Sequence, residues 1–305
     1  MQERTAAAAA RGTAAPLCDE DEILEAVSRD TRPPAAHALG VDAFYRLPPI
    51  YFIGDSRAIP FRNAVYASEF TSRAYQLRSV HLRSLHAADF YSRERGINHP
   101  LLSTLATDQA VISYDEGARW AATRADHDAG TAPLVLFCGP YDAHRVMDEL
   151  GPDADITAWD ERSSRYDVST KPPSRLVSAH DVSQRVLEIM EPFALGIEAL
   201  RTMGFDRIFI HGSPRSHRGK RFDRLYGTFK WLRQYHPNAM PKVHMLFDEA
   251  ARSIAQRTSA RYISGPVDAH GELSRDVTWD DVHYNADGAR MVARSVVQIL
   301  EGVVE

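Results

Sequence analysis

Short apolar runs without alternation punctuate this chain, and turn-forming residues end them. Residues 50–53 are apolar throughout and stop at Gly54; residues 134–138 stop at Gly139-Pro140; residues 207–210 run into His211-Gly212-Ser213-Pro214. Such runs, bounded by turn signals, are how strands buried on both faces read. Residues 242–247 give a fourth strand candidate. Between the runs lie helical patterns. Residues 183–203 carry Val186, Leu187, Met190 and Phe193 at helical spacing before Gly204, and a C-terminal helix presents Val292, Val296, Ile299 and Leu300. Strands alternating with helices predict an α/β fold whose parallel sheet is covered on both faces.

The organisation is asymmetric. Residues 1–49, rich in Ala, Asp, Glu and Pro, read as an arm with one peripheral amphipathic helix over residues 21–28, and residues 50–305 as the folded domain. Residues 151–178 hold Pro152, Pro172 and Pro173 and little apolar periodicity, which predicts a long excursion or lid. Residues 215–224 form a dense basic run directly after the third strand, where an α/β sheet gathers its ligand loops. A solvated loop is the plainer reading of the same run.

With 44% hydrophobic and 25% charged residues in 305, the chain has a globular composition. Its 41 acidic and 36 basic residues give a net charge of −5, so no global field favours nucleic acid or an anionic membrane. Cys18 and Cys138 form neither a zinc pattern nor a disulfide framework, which fits a reduced compartment. The alanine run at 6–10 meets Arg11 and lacks the form of a signal peptide, and no stretch approaches the roughly 20 apolar residues of a membrane span. The expectation is a cytoplasmic protein.

Two short segments carry the candidate chemistry. Gly54-Asp55-Ser56 follows the first buried strand, where glycine permits a tight turn and the serine hydroxyl emerges at the sheet edge. Asp280-Asp281-Val282-His283 precedes the last helix, and an aspartate three residues before a histidine can hold the tautomer whose Nε2 accepts a proton. This pair of segments, in this order, resembles the first and last sequence blocks of the SGNH, or GDSL-type, serine hydrolase superfamily. The resemblance spans residues 51–305. It implies a three-layer α/β/α flavodoxin-like domain without a cofactor, with Ser56 as nucleophile, His283 as base and Asp280 as its orienter.

The middle blocks depart from the pattern. Where the family carries Gly-x-Asn-Asp, this chain has Gly139-Pro140-Tyr141-Asp142, placing Tyr141 at the asparagine; Gly-x-x-Asp followed by His144 and Arg145 resembles a divergent branch found beside polysaccharide and specialised-metabolite genes. Matching residues 79–86 to the second block places Ser84 at the family's glycine. The resemblance thus implies an oxyanion hole built from Ser56, Ser84, Gly139 and Tyr141. Asp142, His211, Arg218 and Arg221 are the candidate substrate-binding residues. The other histidines are scattered without ligand spacing, so no metal is expected.

The expected function is acyl-ester chemistry, by an esterase or O-acyltransferase working through an acyl-enzyme on a small-molecule or glycan ester, with the basic run suited to a phosphate or carboxylate. The rival is a non-catalytic binding or scaffold protein of the same fold whose oxyanion hole has degraded, a reading that Tyr141 motivates. Phosphoester hydrolysis fits less well, since no carboxylate cluster for a metal pair is apparent.

Overall fold

The computed structural model describes residues 47–62, 64–81, 86–97, 132–137, 139–167, 169, 171–212, 234–267, 273, 275–278 and 283–303, with the backbone alone at 56, 81, 140, 141 and 275. It is an α/β protein with a mostly parallel central sheet flanked by helices. The sheet comprises β1 (Pro49–Gly54), β2 (Ala64–Ala67), β3 (Ala74–His81), β6 (Leu134–Phe137), β9 (Ile208–His211) and β10 (Arg261–Ile263) in the order β10-β9-β6-β1-β3-β2. Outside it, the short helix α1 (Ala87–Phe90) and the paired strands β4 (Tyr91–Ser92) and β5 (Gly96–Ile97) follow β3. All neighbouring pairs are parallel except the edge pair β2 with β3.

The apolar runs form strands because both of their faces are covered. Tyr51 and Ile53, Leu134 and Leu136, and Ile208 and Ile210 join one core with α2 (Pro140–Leu150), α4 (Ala179–Thr202) and α5 (Ala239–Arg257). The alternate residues Ile50, Phe52, Val135, Phe137 and Phe209 join a second core with the 3-10 helix Ser56–Phe61 and α6 (Ala286–Leu300). Within α6 the expected face is present: Val292 and Val296 are core, with Ile299 and Leu300 packed against it. Asn285 caps this helix, accepting from the N–H groups of Asp287 and Gly288 at 3.0 Å each.

Residues 242–247 are not a strand. They lie inside the 19-residue α5, where every residue from Lys242 to Phe247 is buried. A helix covered all round buries successive positions, Lys242 and His244 included, and loses the periodicity that would identify it.

The excursion at 151–178 is folded and anchored. β7 (Ala154–Ile156) and β8 (Arg175–Val177) pair in parallel, with the short helix α3 (Glu161–Ser164) between them. The ammonium of the fully buried Lys242 donates to Asp155 Oδ1 at 3.1 Å, the Ile156 carbonyl at 2.6 Å and Asp167 Oδ1 at 2.5 Å. Asn238 Nδ2 adds a bond to Asp155 Oδ2 at 3.2 Å. These contacts tie the excursion to α5. The expected arm at residues 1–49 lies outside the described residues up to 46, and β1 already begins at Pro49.

Candidate functional site

Sheet connectivity selects one place on the molecule. Counting only the parallel strands in chain order, β1, β3, β6, β9 and β10 lie in spatial order 2-1-3-4-5. From β1 the chain crosses to β3 on one side and later returns to β6 on the other, so the strand order reverses between β1 and β6. The carboxyl ends at such a switch point open the crevice where α/β sheets bind ligands. Here those ends are Gly54 and Phe137, which puts Asp55-Ser56 and Gly139 beside the reversal.

The turn after β1 is tightly built. Gly54 has φ +155°, and a Cβ there would stand 2.6 Å from both Cβ and the carbonyl oxygen of Phe137, so only glycine lets β1 and β6 approach this closely. Asp55 caps the 3-10 helix by accepting from the Arg57 N–H at 2.9 Å. The same carboxylate receives Arg57 Nε on Oδ1 and Nη2 on Oδ2, each at 3.0 Å. Both side chains are buried. Burial pushes the Asp55 carboxyl up, but the Arg57 charge and hydrogen bonds, with a smaller contribution from His283, hold it below its ordinary value. Ser56 is the first residue of the 3-10 helix that this pair fixes, and its side chain lies outside the description.

His283, 5% exposed, lies close enough to Asp55 for its positive charge to act on that carboxylate. Residues more than two hundred positions apart in sequence therefore come within electrostatic range of each other. The next residue, Tyr284, anchors this segment from behind. Its hydroxyl donates to Nε2 of His211 at 3.2 Å, while His211 Nδ1–H donates to the Gly212 carbonyl at 2.7 Å. His211 stacks on Phe137 at 4.7 Å and is 1% exposed. Burial, with the Arg57 charge, lowers its pKa to about 3, and burial similarly lowers His244 to about 3, so both are neutral at physiological pH. His211, a candidate substrate contact from sequence, is buried with both ring nitrogens engaged.

Just past β6, Gly139 caps α2 with φ +119°, a conformation suited to glycine. Tyr141 is the second residue of α2, its side chain outside the description. Asp142 is fully buried with both oxygens engaged: Oδ2 accepts the Ala87 N–H at 2.7 Å, and Oδ1 lies 3.1 Å from His86 Nδ1. Asp280, Ser84, Arg218 and Arg221, and the whole basic run, lie outside the described residues.

Sequence reasoning missed Arg57 and His86. Arg57 had a signal, since an aspartate two residues before an arginine in a tight turn is placed to cap and pair with it. His86 had none, because its partner is 56 residues away. Among the described residues no group of three or more His, Cys, Asp or Glu side chains gathers where it could hold a metal ion, and no helix is long and apolar enough to cross a membrane.

Comparison of the sequence with protein-family models finds no match, and comparison with curated proteins finds none either.

Proposed function

We propose that this chain is a serine-dependent acyl-ester enzyme, an esterase or O-acyltransferase of flavodoxin-like three-layer architecture resembling the SGNH hydrolases. Ser56 Oγ attacks the ester carbonyl as His283 takes its proton, and Asp280 orients the imidazole. The imidazolium then protonates the departing alcohol, leaving the acyl group on Ser56, and water or an acceptor hydroxyl resolves the acyl-enzyme. The observation that carries the reading is the electrostatic influence of His283 on Asp55, the residue immediately before Ser56. It sets His283 within charge-interaction range of the turn that carries the proposed nucleophile. Asp55, held as a carboxylate, also stabilises the imidazolium that forms during the reaction.

The oxyanion is received by backbone N–H groups at Ser56 and Ser84 and by the Gly139-Tyr141 end of α2. The substrate is a small-molecule or glycan ester, and the basic run at 215–224 supplies Arg218 and Arg221 for a phosphate or carboxylate on it.

A fluorophosphonate probe tests the proposal. The native chain should acquire one covalent adduct, on the peptide containing Ser56, and Ser56→Ala should acquire none. An unlabelled native chain, or equal labelling of Ser56→Ala, favours the binding-protein alternative.

A further inference from the structure

We propose that Asp142 and His86 are positioning residues that clamp the crevice at the end of β1, fixing the start of α2 against the chain that follows β3. The inference rests on the serine acyl-transfer reading and adds to it the means by which the transition-state geometry is held. Sheet order supplies the first argument. β3 and β6 are the two strands that flank β1, and the Asp142 contacts run from the first turn of α2, just past β6, to His86 and Ala87, a few residues past β3. They therefore bridge the carboxyl end of the strand that delivers Ser56.

The contacts are those of a clamp rather than of a substrate pocket. Asp142 is fully buried, and its two oxygens are engaged by His86 Nδ1–H at 3.1 Å and by the Ala87 N–H at 2.7 Å. A buried carboxylate with both oxygens so held is directional and rigid. His86, by contrast, keeps 39% of its side chain exposed. Packing alone does not call for an imidazole there; a polar bond to a buried carboxylate does. The bond to Asp142 also raises the His86 pKa above its ordinary value, strengthening the charge-assisted link. Through Gly139, whose φ of +119° turns the chain into α2, the clamp fixes where the backbone N–H groups of the first turn stand relative to β1.

A positioning role and a substrate-binding role separate kinetically. With p-nitrophenyl acetate, a small neutral ester, His86→Ala should lower kcat about 10- to 100-fold, the scale of a misplacement near 1 Å, with KM nearly unchanged. Its melting temperature should fall by only a few degrees, since the partly exposed imidazole leaves a site that water can enter to replace its bond to Asp142. His86→Gln, whose amide can still donate to Asp142, should recover most of kcat. Fluorophosphonate labelling of Ser56 should slow in His86→Ala in step with kcat. Native kcat and labelling in His86→Ala overturn the clamp while leaving Ser56 as nucleophile. So does a kcat loss that tracks a large fall in melting temperature and that His86→Gln does not repair. A native chain that neither labels nor turns over esters overturns the serine reading and the clamp together.

Discussion

Replacing Arg57 with methionine removes the cation that lets Asp55 be buried as a carboxylate. The Asp55 side chain is only 2% exposed and takes two guanidinium bonds at 3.0 Å each, so little solvent can replace them. Breaking one partner of a buried pair costs about 3–5 kcal/mol, a large part of a typical folding stability of about 5–15 kcal/mol. At about 2–4 °C per kcal/mol, the melting temperature should fall by roughly 6–20 °C at pH 7. The pH dependence identifies the cause. In the native chain the Asp55 carboxyl is depressed, so its contribution is fully present above the unfolded value of about 3.9 and is lost as pH falls through the folded value. In Arg57→Met, burial prevails and raises that carboxyl, so the variant regains stability as Asp55 protonates. The gap between native and variant melting temperatures, read by differential scanning calorimetry from pH 3 to 7, should therefore be widest near pH 7 and narrow on acidification. Asp55→Asn combined with Arg57→Met keeps the cap acceptor and removes both charges, and it should recover much of the loss. A gap independent of pH, or a double variant worse than Arg57→Met, refutes the electrostatic account.

Tyr284→Phe deletes the hydroxyl that donates to buried His211 and should cost about 1–3 kcal/mol in urea unfolding at pH 7; an unchanged midpoint would mean that the bond at 3.2 Å is not what holds this segment. Lys242→Met removes the ammonium from the buried Asp155 carboxylate, so amide exchange should quicken across residues 154–177 before the central sheet; uniform exchange across both regions counts against Lys242 as the anchor. With neutral His283 as the base, kcat/KM for a small ester should rise with pH as the imidazole loses its proton, and His283→Ala should abolish the rise. A profile flat from pH 5 to 8, with chemistry rate-limiting, contradicts that role.

The strands that deliver the candidate site were legible because burial on both faces leaves no polar position. β1, β6 and β9 are all apolar runs ended by turn residues. β3 was not, since Gln76, Arg78 and Ser79 interrupt it; Gln76 is nonetheless fully buried, its side-chain carbonyl accepting from Arg78 Nε at 2.7 Å. β10, with three residues, is too short to show a period. The all-round burial of α5 made residues 242–247 resemble a strand. The glycine-bounded turn after β1 could be read locally, as could a histidine just before the last helix. The Asp142 clamp and the anchoring of residues 151–178 by Lys242 could not, because each depends on partners dozens of residues apart whose pairing leaves no spacing in the chain.

The central claim is that Ser56 and His283 act on one another at the end of β1. Intact-mass measurement during the pre-steady state with p-nitrophenyl acetate tests it most directly. The native chain should release a burst of nitrophenolate and gain one acetyl group, mapped to Ser56, while folded His283→Ala and Ser56→Ala gain none on that timescale. An acetyl group on another residue, or a native burst in folded His283→Ala, would contradict the account.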